Sequence, residues 1–175
     1  MNRRYFLGLA LSTAASPVFA RRTVDKPRVL SFYHLHTEDR IDITYRIGDH
    51  YQRSALQRLN YFFRDFRTGD TIAMDPRLLD LLYDLKVTLG DPDARYHVLS
   101  AYRSPATNRM LRRSSSGVAK KSLHLKGQAI DIRFPDLSTR HLRDTAIELS
   151  RGGVGYYPRS NFVHLDTGAV RQWRA

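Results

Sequence analysis

The segment from Ser122 to Phe134 constrains the fold more than any other part of the chain, because a bend and a strand follow each other there. Gly127 permits a sharp bend just after His124, and downstream of it apolar and other residues alternate. This alternation predicts a strand on which Asp131 lies on the face opposite the apolar one. A carboxylate in that position is costly to bury unless it is paired or bound to a cation.

A second strand-like segment, residues 161–166, supplies further polar side chains. His164 and Asp166 share one face of it and can point into a single cavity. Together with His124 and Asp131, His164 completes a set of two imidazoles and one carboxylate. That set is common for catalytic zinc, which keeps a fourth position open for water. A hydrogen-bonded structural role for these residues is the alternative, and the costly position of Asp131 favours the metal.

Three motifs of the chain resemble those of the zinc D-alanyl-D-alanine peptidases. The spacing Ser122-x-His124-x-x-Gly127-x-Ala129-x-Asp131, followed by His164, resembles their S-x-H-x-x-G-x-A-x-D and H signature. Ser100-Ala-Tyr-Arg103-Ser104 resembles their S-G-Y-R-S segment, and residues 152–157 are similar to a segment of a murein endopeptidase branch. The resemblance covers nearly all of the chain after the first twenty residues. It implies the fold that this family shares with lysostaphin-type peptidases and hedgehog domains.

The resemblance also implies roles for individual residues. His124, Asp131 and His164 would be the zinc ligands, and Arg103 would hold substrate or the developing oxyanion. Several members of the family carry a glutamate three residues before the last histidine, where it acts as general base, but this chain has Asn161 there. An asparagine cannot accept a proton. Asp166 is the nearest carboxylate in sequence on the face of His164, so we assign the base role to it.

The pattern of elements predicts an α+β fold. The chain has 175 residues, of which 42% are hydrophobic, enough for one domain with its own core. We expect helices packed on one side of a mainly antiparallel sheet, with the metal on the other side. The predicted elements are a hairpin over 28–47, helices over 49–66, 75–89, 104–111 and 138–152, and strands over 96–102, 153–157 and 162–167. Residues 112–121 are polar and predict either a mobile lip over the cleft or an ordinary flexible loop.

Residues 1–20 are expected to be a targeting segment. Residues 2–7 resemble the twin-arginine export motif, an apolar run follows, and residues 18–20 supply a cleavage site. An uncleaved anchor is the alternative, although the run is too short and interrupted for a committed membrane span. Residues 21–27 form a short polar arm, and 28–175 the catalytic domain. The absence of cysteine suits a protein that is exported folded to the periplasm.

The charge of the chain points to an anionic partner. Removing residues 1–20 takes away two arginines and no acids, so 27 basic residues remain against 17 acidic ones, a net charge of +10. Nucleic acid is the usual partner of such a chain. A periplasmic location favours peptidoglycan instead, with its peptide carboxylates, and argues against nucleic acid and against stable membrane insertion after signal removal. A merely solvated basic surface is the alternative, and the oligomeric state stays open.

These observations predict a zinc endopeptidase that cleaves peptidoglycan cross-links. The resemblance implies D-alanine to meso-diaminopimelate links, or links between two diaminopimelates, and the sequence does not choose between them. A D-Ala-D-Ala carboxypeptidase is one alternative. A zinc-containing binding module without activity is the other, and Asn161 favours it because the usual glutamate is missing. A second histidine pair, His34 and His36, has no acidic partner at ligand spacing, so we do not assign a metal to it.

Overall fold

The structure, a computed structural model, describes residues 26–115 and 117–175, and all strands of this part lie in one sheet. The predicted signal segment and most of the polar arm lie outside the described residues. The strands are β1 (Pro27–His34), β2 (Arg40–Ile47), β3 (His50–Tyr51), β4 (Arg95–Ser100), β5 (Ala129–Arg133), β6 (Gly153–Tyr157), β7 (Phe162–Asp166) and β8 (Arg171–Arg174). Their order across the sheet is β3-β2-β1-β4-β5-β7-β6-β8. Only the pairs β1 with β4 and β6 with β8 are parallel among these strands, so the predicted mainly antiparallel sheet is confirmed.

The helices begin where the sequence places capping residues. They are α1 (Arg53–Phe62), α2 (Pro76–Thr88), α3 (Pro105–Ser114), α4 (Thr139–Glu148) and a short 3-10 helix (Leu123–Lys126). The side chains of Asp75, Ser104 and Ser138 each accept a hydrogen bond from a backbone N–H in the first turn of α2, α3 and α4. Such caps satisfy donors that would otherwise have no partner in the helix.

The two faces of the sheet have different roles. The apolar side chains of β5 and β7, Ile130, Ile132, Val163 and Leu165, are fully buried in the core. Helix α1 contacts β2, α2 contacts β1, and α4 contacts β6 and β7. Because side chains alternate along a strand, the residues between these apolar positions point to the opposite face. The predicted α+β arrangement is therefore confirmed, with the candidate metal residues on the face away from the core.

Some boundaries differ from the sequence prediction. The predicted helix over 49–66 begins later, at Arg53, because residues 50–51 pair with β2 as a short strand. Helix α3 continues to Ser114 and takes up the first part of the predicted loop. Strand β8 was not predicted, since its four residues include a single apolar side chain and its pairing partner β6 is distant in sequence. In the described part of the chain, every helix is too short or too polar to cross a bilayer.

Candidate metal centre

Three local structures bring the predicted ligands together. Asp131 on β5 and His164 on β7 are directly opposite each other in the antiparallel pair. His124 lies in the 3-10 helix, which ends at Gly127 in a left-handed conformation with φ of 66°. A Cβ atom at Gly127 would lie 2.8 Å from the carbonyl oxygen of Ala73, so only glycine fits this tight turn without displacing backbone. The turn folds His124 back over the start of β5.

The three ligand atoms form a compact triangle. His164 Nδ1 lies 2.9 Å from Asp131 Oδ1, and His124 Nε2 lies 3.1 Å from His164 Nδ1. His124 Nε2 and Asp131 Oδ1 are 3.3 Å apart. Zinc bonds of about 2.0–2.1 Å in a tetrahedral arrangement place neighbouring ligand atoms about 3.3 Å apart. His124, Asp131 and His164 are 2%, 7% and 8% exposed, so the surrounding protein shields them almost completely from solvent.

In both histidines, the ring nitrogen that points away from the triangle has a hydrogen-bond partner that determines which nitrogen carries the proton. His124 Nδ1 lies 2.6 Å from the carbonyl oxygen of Ala101, which can only accept, so the proton is on Nδ1 and Nε2 has a free lone pair. His164 Nε2 lies 3.1 Å from Asp166 Oδ2, so its proton faces that carboxylate and Nδ1 has the free lone pair. Two lone pairs and the Asp131 carboxylate then face one another. This arrangement requires a cation, and a metal ion with nitrogen and oxygen ligands fits it.

The pKa values follow from the burial and the charges of the cluster. Burial lowers the pKa of His124. Burial alone would raise the pKa of Asp131, but its interactions with His124 and His164 hold that pKa well below its usual range. Burial also lowers the pKa of His164, but hydrogen bonds to Asp131 and Asp166 outweigh it and raise that pKa to about 9. Metal binding requires the two ligating nitrogens to be unprotonated, so it should strengthen as pH rises.

Arg103 lies at the edge of this cluster, where β4 leads into α3. Its Nη2 is 3.9 Å from Asp131 Oδ2, and its Nη1 donates to Asn108 Oδ1 at 3.5 Å. The buried Nε has no hydrogen-bond partner. Burial is the main reason that the pKa of Arg103 is lowered, and the nearby Asp131 charge opposes it. The guanidinium therefore has unused donors beside the candidate metal, which suits recognition of a carboxylate or an oxyanion.

Asp166 lies beside His164, as the sequence predicts, but its carboxylate is enclosed. The residue is 0% exposed. Arg171 donates to it from Nη1 at 3.0 Å and from Nη2 at 2.6 Å, and the backbone N–H groups of Gly153 and Gly168 donate at 3.0 and 2.9 Å. Burial raises its pKa, but hydrogen bonds from His164 and Arg171 hold it well below its usual range. The base role stays a prediction, and Arg171 is a partner that the sequence did not reveal.

Asn161, at the position where several members of the resembled family carry a glutamate, points away from the cluster. It lies in the turn between β6 and β7 with φ of 52°. Its Oδ1 accepts a hydrogen bond from the Thr139 hydroxyl at 3.2 Å, and Thr139 is the first residue of α4. Helix α4 packs on the core face of the sheet. A side chain in this conformation at position 161 does not face the metal cluster.

A cavity of about 400 Å³ opens in front of the cluster. Tyr157 and Phe162 form part of its wall and stack with ring centroids 4.4 Å apart. Trp173 Nε1 donates to the Tyr157 hydroxyl at 3.0 Å, so a third aromatic side chain is tied to the same wall. Residues 117–119 and Lys121, from the predicted lip, also line the cavity. The cavity thus offers apolar surface and positive charge next to the ligand triangle.

Comparison with known proteins identifies the family. A family model described as peptidoglycan L,D-endopeptidase MepK matches residues 22–173. The chain is 44% identical to the peptidoglycan L,D-endopeptidase MepK of Escherichia coli K12 over 177 residues. This match covers 98% of this chain and 97% of that protein. It is 40% identical to a probable peptidoglycan L,D-endopeptidase MepK of Haemophilus influenzae over 178 residues, and this match covers 99% of this chain and 96% of that protein. The resemblance seen in the sequence is confirmed, and the chain belongs to this family of metallopeptidases.

Proposed function

We propose that this chain is a zinc-dependent L,D-endopeptidase that hydrolyses the peptide cross-links of peptidoglycan. The observation that carries the proposal is the convergence of His124, Asp131 and His164 on one point at the end of an open cavity. Two neutral imidazoles and one carboxylate suit zinc, which retains an open position for chemistry in such sites. When bound, zinc would polarise the scissile carbonyl and lower the pKa of a water molecule to roughly 7.

The type of bond follows from the stereochemistry in the relatives' name. An L,D-endopeptidase cleaves between the carbonyl of an L centre and the amine of a D centre. A D-alanine carbonyl belongs to a D centre, whereas a link between two diaminopimelates joins the L centre of one to the D centre of the other. Of the two cross-links that the sequence leaves open, this favours the link between two diaminopimelates as the substrate.

Arg103 is proposed to recognise the negative charge of the substrate. The diaminopimelate on the amine side of the bond carries a free carboxylate next to the bond that is cleaved. Arg103 has a buried Nε without a partner and an Nη2 only loosely placed near Asp131. A buried donor without a partner is unfavourable, so an incoming carboxylate or the developing oxyanion would gain hydrogen bonds that the free protein lacks. The stacked Tyr157 and Phe162 would contact the apolar stem of diaminopimelate.

The substrate implies a location outside the cytoplasm. We propose that residues 1–20 direct the chain to the periplasm by the twin-arginine route, where peptidoglycan and not nucleic acid is its partner. Replacing Arg3 and Arg4 with lysine should retain the precursor in the cytoplasm. Unchanged processing and periplasmic recovery of that variant would indicate another export route. A variant with Arg21 and Arg22 replaced by lysine makes a matched control, because these arginines follow the predicted cleavage site.

Purified protein with zinc, incubated with defined muropeptides, tests the activity. We expect dimers linked through two diaminopimelates to be converted to monomers, and His124→Ala to leave them intact. Cleavage of only the D-alanine to diaminopimelate dimer would refute the L,D assignment. Release of D-alanine from uncross-linked pentapeptides alone would indicate a carboxypeptidase. Retention on sacculi with every substrate unchanged would indicate the binding module instead.

A further inference from the structure

Two glycines leave a gap in β6 on the face that carries the metal cluster. Gly155 lies directly opposite His164 in the pairing of β6 with β7. A Cβ atom at Gly155 would lie 2.5 Å from the indole ring of Trp173. A Cβ atom at Gly153 would overlap both the Arg171 guanidinium and the Asp166 carboxylate. At these two positions the strand has room only for side chains that come from elsewhere.

Those side chains come from the edge strand β8. Arg171 pairs with Gly153, and Trp173 with Gly155, in the parallel register of β6 and β8. Both side chains therefore cross β6 above its glycines and reach β7. Trp173 lies with its ring centroid 5.2 Å from that of His164, and Arg171 makes two hydrogen bonds to Asp166.

The contacts continue from Asp166 to the metal ligand. Arg171 is bound through both of its Nη atoms, which fixes the plane of the carboxylate. Asp166 Oδ2 then accepts from His164 Nε2 at 3.1 Å, and this bond places the free lone pair of His164 on Nδ1, toward His124 and Asp131. Hydrogen bonds of this kind set the tautomer and orientation of metal-binding histidines.

We propose that β8 is a positioning element for the metal centre: Arg171 acts through Asp166, and Trp173 directly, to hold His164 in its ligating orientation. The proposal rests on the proposed function, since it takes His164 to be a metal ligand. It gives Asp166 a role different from that of general base. It also explains the two glycines at 153 and 155, because any larger residue would separate β8 from His164.

An exposed ion pair alone would not justify this role. The side chain of Arg171 is 44% exposed, and ion pairs between exposed side chains contribute little. Its partner, however, is 0% exposed and shares its carboxylate with the ligand itself. Loss of such a partner of a metal ligand costs about 10- to 100-fold in metal affinity. The proposal therefore predicts a loss of metal affinity in addition to any loss of stability.

The test compares Arg171→Met with Arg174→Met in the mature chain. Arg174 lies on the same strand but on the opposite face, where its guanidinium approaches Tyr156 at 5.9 Å, so this variant makes the same chemical change away from the metal. We expect the zinc dissociation constant, measured by chelator competition, to rise about 10- to 100-fold in Arg171→Met. The expected value for Arg174→Met is within twofold of wild type. Equal zinc affinity in the two variants would overturn the proposal.

Two further measurements separate positioning from general stability. The visible spectrum of the cobalt-substituted protein should change in Arg171→Met but not in Arg174→Met, because only the first change alters the geometry of the ligands. Gly155→Ala should weaken zinc binding in the same direction, and wild-type affinity in that variant would also contradict the proposal. If Arg171→Met lacks the native circular dichroism spectrum, Arg171→Lys replaces it, with a smaller loss expected. Absence of zinc binding by the wild-type protein would refute the proposed function, whereas normal binding by every variant would refute only the positioning role.

Discussion

The substitution Asp166→Asn distinguishes two roles for Asp166, that of general base and that of a residue that positions His164. Oδ1 of Asp166 accepts from the backbone N–H groups of Gly153 and Gly168 and from Arg171. Its other oxygen, Oδ2, accepts from Arg171 and His164. An asparagine would turn its oxygen to the side with three donors and its NH₂ group to His164. His164 would then have to accept at Nε2, and its proton would move to Nδ1, the atom that faces the metal position. The positioning role therefore predicts weaker zinc binding.

The size of the expected loss of zinc affinity follows from the hydrogen bond between His164 and Asp166. Loss of a partner that orients a metal ligand costs about 10- to 100-fold in affinity, or about 1.4–2.7 kcal/mol. Chelator competition measures this loss, and turnover of cross-linked dimers at saturating zinc should recover much of the wild-type rate. If Asp166 is the general base, zinc should remain bound with unchanged affinity while turnover falls roughly 10²-fold or more. Wild-type zinc affinity together with such a loss of turnover would refute the positioning argument.

Three other predictions test the site and its surroundings. His124→Ala should lose both zinc and activity, because two protein ligands are too few to retain the ion, and full zinc content by atomic absorption would show that His124 is not a ligand. Arg103→Lys should keep zinc but lower kcat/KM about tenfold or more, since lysine lacks the planar fork; steady-state kinetics at equal zinc content would show an unchanged value if Arg103 does not contact substrate. His34 is 0% exposed, and burial lowers its pKa to about 4. At pH values between this pKa and that of an ordinary histidine, the unfolded chain binds a proton at His34 that the folded chain does not. The free energy of unfolding should therefore fall by about 3 kcal/mol, relative to His34→Gln, as pH drops from about 6.5 to 4. Urea midpoints that change equally in the two proteins over this range would contradict the prediction.

The strand positions of two candidate ligands could be predicted from the sequence, because both strands have a local signal. In β5 the alternation around Asp131 shows that its side chain leaves the core face, and the same holds for His164 in β7. Local patterns do not contain the register between the two strands. The direct opposition of Asp131 and His164 appears only in the folded sheet.

The positioning strand β8 was missed for a related reason. Arg171 and Trp173 belong to a four-residue segment with no alternation of apolar and polar side chains. Its partner in the sheet is β6, and β7 lies between the two in sequence. The signal that was present is the pair of glycines at 153 and 155, which leaves one face of a strand without side chains. Such a gap indicates that another segment approaches closely, although it does not say which one. The base role of Asp166 was predicted from its position as the nearest carboxylate in sequence, and that argument does not include the partners that surround it in the fold.

The separation of the two faces of the sheet has a consequence for the order in which the protein matures. The apolar side chains of β5 and β7 lie in the core on the helix face, and the metal would join β5, β7 and the 3-10 helix on the other side. Backbone hydrogen bonds from Asp75 to Gly127 and from Gln128 to Leu123 hold that turn independently of any ion. Small domains that lack a core unfold when their zinc is removed, but here chelation should leave the circular dichroism spectrum native. Folding then does not depend on the metal, which is able to bind after the chain has folded.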